Sequence, residues 1–266
     1  MSIDRDLLTA GLATLRKSGE GVSHHGHFPD LIADTIGKEE APLDMVSLHV
    51  TRINQALWGV FTSAERVEWQ RKMFAEGHLP GLTWIFFAGA DVTLFHVTLR
   101  SLFDHVAKLI GLCADKRGTV PDDSFRELKN WAAKPGNDKR LGEDLRRLVL
   151  SADWFDAMRD VRDSIVHHGG QPIILPPEKG LWFQVTGARV KGVLEPGLMP
   201  NENVVDFELY AGKYLGYTLG FLDRLAAIAR QRYGRPQYSD LAWASSGGMS
   251  TVRGWIERVL QLPTTR

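Results

Sequence analysis

Apolar residues recur every three or four positions along most of this chain, which is the spacing that one buried helix face requires. The pattern predicts helices over residues 4–17, 43–74, 83–113, 125–131, 208–233 and 251–260. Residues 142–168 have the same pattern and form either one further helix or a pair. Pro80-Gly81 separates the second of these helices from the third, because proline and glycine together interrupt a helix.

The pattern changes between residues 168 and 208. Pro172, Pro176 and Pro177 exclude a helix there, because proline lacks the amide hydrogen that a helix interior needs. Two short strands are predicted at 181–186 and 188–194, and residues 203–207 are a candidate for a third. The fold class that follows is mainly α, a helical bundle with a small β-hairpin inserted before its last long helix.

Three segments are predicted along the chain. Residues 1–40 contain an N-terminal helix and a flexible segment, and residues 41–235 form the bundle, with the hairpin at about 181–207. Residues 236–266 form a C-terminal extension with one helix.

Composition narrows the function classes. The 266 residues include 32 Lys and Arg and 32 Asp and Glu, so the net charge is zero and carries no signal for DNA binding. Cys113 is the single cysteine, and no secretory leader is recognisable, so we expect a reducing, cytoplasmic location. Residues 79–99 are apolar enough to suggest a membrane span, but Asp91 and His96 within them favour a core helix, and we expect no membrane association.

Several common chemistries lack their motifs. The chain contains neither a phosphate-binding G-x-x-x-x-G-K-[ST] loop nor a G-x-S-x-G nucleophile motif. The His24-His25-Gly26-His27 run has no cysteine and no carboxylate at a recognised ligand spacing, so a flexible loop is a better interpretation than a metal site. We therefore predict no cofactor and no metal.

The segment with the most chemical information ends the helix predicted over 142–168. Arg162 is followed by Asp163 and, five positions after the arginine, by His167, close to a terminating Gly169-Gly170. Arg162 lies only about 40° around the helix from the apolar Met158. An arginine there needs a carboxylate partner or an open cleft.

The preceding long helix offers such a partner. His96, Arg100 and Asp104 are spaced by four residues, which places them on one line of an otherwise apolar helix. We expect Asp104 to pair with Arg162, and we expect His96, Arg100 and the neighbouring Arg159 to surround the site.

The pattern of arginine, a polar residue and a histidine after four intervening residues at a helix end resembles the signature of the HEPN superfamily. These are small all-helical domains, many of which are metal-independent ribonucleases. The resemblance covers about residues 79–233, and His168 fits a form of the motif that is one residue longer.

The resemblance implies RNA as the partner and RNA cleavage through the 2′-hydroxyl, in defence or stress response. It gives His167 (or His168) the acid–base role, Arg162 the stabilisation of charge on the phosphate, and Asp163 the orientation of the pair. It also implies a homodimer with two motifs facing one cleft.

A non-catalytic binding or dimerisation module is the alternative. In that interpretation Arg162 forms a buried ion pair with Asp104, and His167 stabilises the helix C-terminus. The acidic residues near the motif favour it, because they would repel phosphate: Asp153, Asp156, Asp160 and Asp163.

Overall fold

A computed structural model describes residues 3–19, 43–167, 172–175, 180–185, 193–233 and 247–263. Within these ranges the chain forms nine α-helices and one three-stranded antiparallel sheet, which confirms the mainly α class with a small sheet. The helices are α1 Arg5–Gly19, α2 Leu43–Ala75, α3 Gly81–Cys113, α4 Phe125–Ala132, α5 Asp138–Leu141, α6 Glu143–Leu150, α7 Trp154–His167, α8 Phe207–Tyr233 and α9 Gly247–Gln261. The strands are β1 Ile173–Ile174, β2 Trp182–Gln184 and β3 Val204–Asp206.

The two longest helices, α2 and α3, form an antiparallel hairpin. Their facing pairs are His49 with His105, Gly59 with Thr98, Gln70 with Asp91, and Phe74 with Trp84. Pro80 precedes the first residue of α3, a position where its missing amide hydrogen costs nothing, and its carbonyl accepts from the amide of Trp84. The Pro80-Gly81 break predicted from the sequence therefore marks the turn of the hairpin.

Phe103, in the middle of α3, is the centre of an aromatic cluster that joins four helices. Its ring centroid lies 5.1 Å from Phe125 of α4, 5.5 Å and 5.3 Å from Trp154 and Phe155 of α7, and 5.9 Å from Phe221 of α8. The contacts are edge-on or tilted, as aromatic rings prefer, and all five rings are buried. This cluster fixes α4 and α7 against α3.

The sheet differs from the predicted hairpin in its pairing. β2 lies within the predicted strand 181–186 and β3 within the candidate third strand at 203–207. Of the predicted strand at 188–194, residues 188–192 lie outside the described ranges, and Val193 and Leu194 lie in a turn. β2 is the central strand, paired with β1 and β3. β1 was missed because two residues are too few to show an alternating pattern.

The first and last helices belong to the same core as the bundle. α1 and α9 both pack on α8, and Leu8 of α1 and Ile256 of α9 are completely buried. The segments that we expected to flank the bundle therefore contribute directly to its core.

Close backbone contact at these helix crossings depends on glycine. A Cβ atom at Gly11 of α1 would lie 2.1 Å from the carbonyl oxygen of Gly216 in α8. A Cβ atom at Gly212 of α8 would lie 2.6 Å from the carbonyl group of Trp255 in α9. Any larger residue would have to push the helices apart.

Within the described residues one helix, α3, is long and apolar enough to cross a membrane by length and composition alone. In its most apolar stretch 44% of the residues are buried inside the protein. The buried Asp91 accepts a hydrogen bond from Gln70 at 2.6 Å and forms an ion pair with Arg66 at 3.2 Å. Core helices pass the same length and composition test, so this finding is weak evidence for a span.

We expect Gly11→Ala to lower the free energy of unfolding by about 1–3 kcal/mol. The cost of overpacking at the α1–α8 crossing exceeds the gain of ~1 kcal/mol that alanine brings to a helix interior. Urea denaturation followed by circular dichroism measures the change.

Gly254→Ala in α9 is the matched control, because a Cβ atom there would meet no other atom within 4 Å. This variant should be more stable than the original protein by about 0.5–1 kcal/mol. Stabilisation of the protein by Gly11→Ala to the same extent would show that α1 and α8 are not in close contact.

Candidate functional site

A polar cleft of about 720 Å³ opens where α3, α4 and α7 meet. Its walls are Val97, Arg100, Ser101 and Asp104 of α3, Ser124, Arg126, Glu127 and Asn130 on or beside α4, and Arg159, Arg162, Asp163 and His167 of α7. The volume lies within the range of small-molecule sites in proteins. The Phe103 cluster lies at the centre of the same three helices and positions the three walls.

The predicted motif lies at the rim of this cleft, on the last two turns of α7. Arg162 Nη1 donates to Asp163 Oδ1 at 2.8 Å and lies 3.0 Å from His167 Nε2. The side chain of Arg162 is 23% exposed and that of His167 is 62% exposed. The structure therefore brings the three motif residues together, with the histidine facing solvent and the arginine partly covered.

The Arg162–His167 contact defines the tautomer of the imidazole. An arginine side chain only donates hydrogen bonds, so Nε2 of His167 must accept, and the proton of the neutral ring lies on Nδ1. In this arrangement the electron pair of Nε2 accepts the hydrogen bond from Arg162. The neutral ring is the form in which a histidine acts as a general base, and its Nε2 becomes available to a ligand when this contact opens.

Arg162 uses one nitrogen for these contacts and leaves another available. Neither its Nη2 nor its buried Nε has a hydrogen-bond partner among the described residues. A guanidinium group can donate from two nitrogens to two oxygens of one phosphate. Arg162 can thus contact Asp163 and a bound anion at the same time.

Arg159, one turn earlier in α7, differs from Arg162 in this respect. Its Nε and Nη2 donate to Asp160 Oδ1 at 3.1 Å and 2.6 Å, and its Nη1 donates to Asp156 Oδ1 at 3.2 Å. Lys129 of α4 donates to the other oxygen of Asp156 at 2.6 Å. Arg159 therefore neutralises acidic side chains of α7, and each of its three nitrogens already donates to a carboxylate.

The expected ion pair between Arg162 and Asp104 does not form. Asp104 pairs instead with Arg100, four residues earlier on α3, and Arg100 also donates to Ser124 at 3.5 Å. The guanidinium of Arg100 lies over the ring of Phe155, 5.6 Å from its centroid. A partner on the same helix is closer to Asp104 than the arginine on α7, so Asp104 and Arg162 share the cleft without contact.

His96 lies away from the cleft. It is 2% exposed, its Nδ1 lies 2.7 Å from the carbonyl oxygen of Val92, and its ring contacts Phe183 and Tyr210. The physical reason is that a row of residues spaced by four drifts about 40° around a helix at each step. His96 is therefore rotated by about 80° from Asp104, into the core.

Two candidate residues or groups lie outside the described ranges. One is His168, the alternative to His167, and the other is the His24-His25-Gly26-His27 run. Within the part of the chain that the structure describes, no three His, Cys, Asp or Glu side chains are grouped as metal ligands would be.

The α4 wall of the cleft was not predicted from the sequence. Phe125, Leu128 and Ala132 are buried, which leaves Arg126 and Asn130 on the opposite, exposed face. This spacing was visible in the sequence as an amphipathic pattern. Nothing in that pattern indicated that the polar face of so short a helix would line the same cleft as Arg162.

No family model, curated protein or solved structure matches this chain. The resemblance to HEPN domains thus stays a prediction that rests on the motif and its place in the fold.

Burial has a measurable consequence at His96, where loss of hydration lowers the pKa to about 4. An unfolded chain binds a proton at this histidine below about pH 6.5, and the folded protein does not until about pH 4. The contribution of the neutral His96 to the free energy of unfolding is therefore fully present above about pH 6.5. It is lost as the pH falls towards 4, by up to about 3 kcal/mol.

We expect His96→Phe to remove this part of the acid dependence of the free energy of unfolding. Urea denaturation at several pH values between 7 and 4.5 measures it. Val92→Ala, which changes packing beside His96 without removing a titratable group, should lower stability equally at every pH. An unchanged pH dependence in His96→Phe would show that the histidine is hydrated.

Proposed function

We propose that this protein is a HEPN-like, metal-independent endoribonuclease whose active site is the cleft at the end of α7. The observation that carries the proposal is the 3.0 Å contact between Arg162 Nη1 and His167 Nε2 at the rim of a polar cleft. The contact pairs a solvent-exposed base with a partly free guanidinium group. Those two groups are what cleavage of RNA by its own 2′-hydroxyl requires.

In the proposed reaction the bound RNA replaces the contact between Arg162 and His167, and His167 Nε2 takes the proton of a ribose 2′-hydroxyl group. The 2′-oxygen then forms a bond to the adjacent phosphorus, and the bond from phosphorus to the 5′-oxygen breaks. His167 returns its proton to the departing 5′-oxygen, so that the products are a 2′,3′-cyclic phosphate and a free 5′-hydroxyl. Arg162 Nη2 donates to a non-bridging oxygen as negative charge accumulates on the phosphate.

The acidic residues of α7 are largely neutralised by neighbours. Lys129 and Arg159 share Asp156, Arg159 also contacts Asp160, and Arg162 contacts Asp163. The repulsion of phosphate that the sequence suggested is reduced accordingly. Asp163 also lies 4.0 Å from His167 Nε2, where it can stabilise the imidazolium form during proton transfer.

A test is the cleavage of a mixed RNA pool in the presence of EDTA. We expect the original protein to cut RNA, and His167→Ala to lower the rate by about 10²–10⁴, the usual contribution of an acid–base group. Arg162→Ala should abolish most cleavage, and Arg162→Lys should restore part of it, since lysine keeps the charge but not the planar guanidinium.

Arg253→Ala is the matched control, an exposed arginine of α9 that does not line the cleft. It should cut RNA at the original rate. Equal cleavage by Arg162→Ala and the original protein would contradict the proposal, as would a folded protein that does not cut RNA at all.

A non-catalytic binding module is the second candidate. The observation that favours it is Arg159, which is 15% exposed and donates from each of its three nitrogens to a carboxylate of α7, which gives it a structural role. This candidate keeps the cleft as a ligand site. Binding of RNA in a fluorescence anisotropy measurement, without cleavage in the assay above, would support it.

We also propose that the protein acts as a homodimer through an apolar stripe on α3, formed by Leu82, Phe86, Phe87, Leu94 and Val97. These five side chains are between 37% and 73% exposed. At 100° per residue they fall within an arc of about 140°, opposite the buried face of α3. Exposed apolar patches of this kind mark interaction surfaces. Val97 also lines the cleft, so a second copy bound to the stripe would lie beside the active site.

The dimer predicts that charge on the stripe weakens self-association. In sedimentation velocity we expect the original protein to sediment as a dimer at micromolar concentration and Phe86→Glu/Leu94→Glu to sediment as a monomer with unchanged circular dichroism. Gln231→Glu, at an exposed position of α8, adds charge elsewhere and should remain dimeric. A monomeric original protein would contradict the proposed dimer. The cleavage assay would then still test the proposed nuclease activity independently.

A further inference from the structure

The α4 wall of the cleft carries an arginine, Arg126, that has no partner among the described residues. Arg126 lies on the exposed face of α4, and among the described residues it forms no hydrogen bond and no ion pair. The other three arginines of the cleft are paired, Arg100 with Asp104, Arg159 with Asp160, and Arg162 with Asp163. Among the arginines of the described cleft, Arg126 is therefore the one that forms no ion pair with a carboxylate.

The charges at the cleft are nearly balanced. Its lining carries four arginines and three carboxylates, and Asp160, which pairs with Arg159, is a fourth carboxylate. Arg126 and Glu127, which are neighbours on α4, are the charged residues of the lining that form no ion pair among the described residues. Arg126 is therefore the cation at this wall that is available to an anion.

Neutral hydrogen-bonding groups line the cleft together with Arg126 and Glu127. Asn130 follows Arg126 by four residues, and both are exposed on the same side of α4. Ser101 of α3 and Ser124, the residue before α4, add two hydroxyl groups to the lining. Arginine, asparagine and serine are among the residue types that contact the sugar–phosphate backbone of nucleic acids.

We propose that Arg126 binds a second phosphate of the RNA strand, next to the one that is cleaved between Arg162 and His167. This inference rests on the proposed function, because it takes RNA as the ligand. The strand would cross the cleft from α7 to α4, with one phosphate at each wall. Arg126 is then a positioning residue, since it holds the strand without contacting the reacting atoms.

The test measures binding separately from cleavage, with a fluorescent 2′-O-methyl RNA of mixed sequence that lacks the attacking hydroxyl group. Fluorescence anisotropy gives the dissociation constant at several salt concentrations. Each phosphate contact to a single strand contributes about 0.7 to the slope of log K against log salt. We therefore expect Arg126→Gln to reduce the magnitude of this slope by about 0.7 and to weaken binding about 3- to 10-fold.

Two variants control for other effects. Arg126→Lys keeps the charge and should keep the slope of the original protein, whereas a merely structural role of the guanidinium would not be restored by lysine. Arg253→Gln removes an exposed arginine outside the cleft and should change neither the slope nor the affinity.

The outcomes separate this inference from the nuclease. Cleavage of natural RNA by the original protein together with an unchanged slope in Arg126→Gln would overturn the second phosphate site and leave the enzyme standing. A reduced slope in Arg126→Gln without any cleavage would support the phosphate site and reject the nuclease. Failure of the original protein to bind the 2′-O-methyl RNA would overturn the inference.

Discussion

The packing of aromatic rings around Phe103 is the constraint on which the cleft depends. Phe125 and Phe155 contact Phe103 and also contact each other at 4.8 Å, so α3, α4 and α7 share one buried junction. Removal of a buried aromatic ring costs several kcal/mol of stability, whereas an exposed polar contact contributes about 1 kcal/mol or less. Arg126 directly follows Phe125, and Arg100 lies over Phe155. The polar walls are thus the solvent-facing side of elements whose positions the apolar side determines.

Arg159 and Arg162 lie one turn apart on α7, but their hydrogen bonds indicate a structural role for the first and a chemical role for the second. Arg159 donates from three nitrogens to carboxylates of its own helix, which reduces the repulsion between the acidic side chains of α7. Arg162 donates from a single nitrogen and reaches His167 with it. The neutralisation of Asp156 and Asp160 by Arg159 and Lys129 leaves the guanidinium of Arg162 partly available. The acidic character of α7 is therefore compatible with an anion site at its end.

The sequence was sufficient for the elements that have a strong local signal. Helix α3 begins at Gly81 and ends at Cys113, against a predicted 83–113, because Pro80 and a long apolar face define it. The association of Arg162 with His167 was predicted from the motif and not from helix spacing, because residues five positions apart differ by about 140° around a regular helix. Long-range features could not be predicted from local patterns. The pairing of β2 with the two-residue β1, and the presence of Arg126 in the same cleft as α7, depend on how separate elements meet. The expected Asp104–Arg162 pair was wrong because a residue one turn away, Arg100, was already in reach.

The exposure of the motif bears on whether it serves stability or function. Asp163 and His167 are 38% and 62% exposed, and Asp163 directly follows Arg162 in the chain. Ion pairs this exposed contribute about 0–1 kcal/mol, and a contact between neighbours in sequence constrains little of the fold. The helix itself is held by Trp154, Phe155, Met158 and Ile165, which are buried. The fold therefore does not depend on the arrangement of Arg162, Asp163 and His167, so stability alone gives little reason for an exposed base and a half-used guanidinium to share the rim of a cleft.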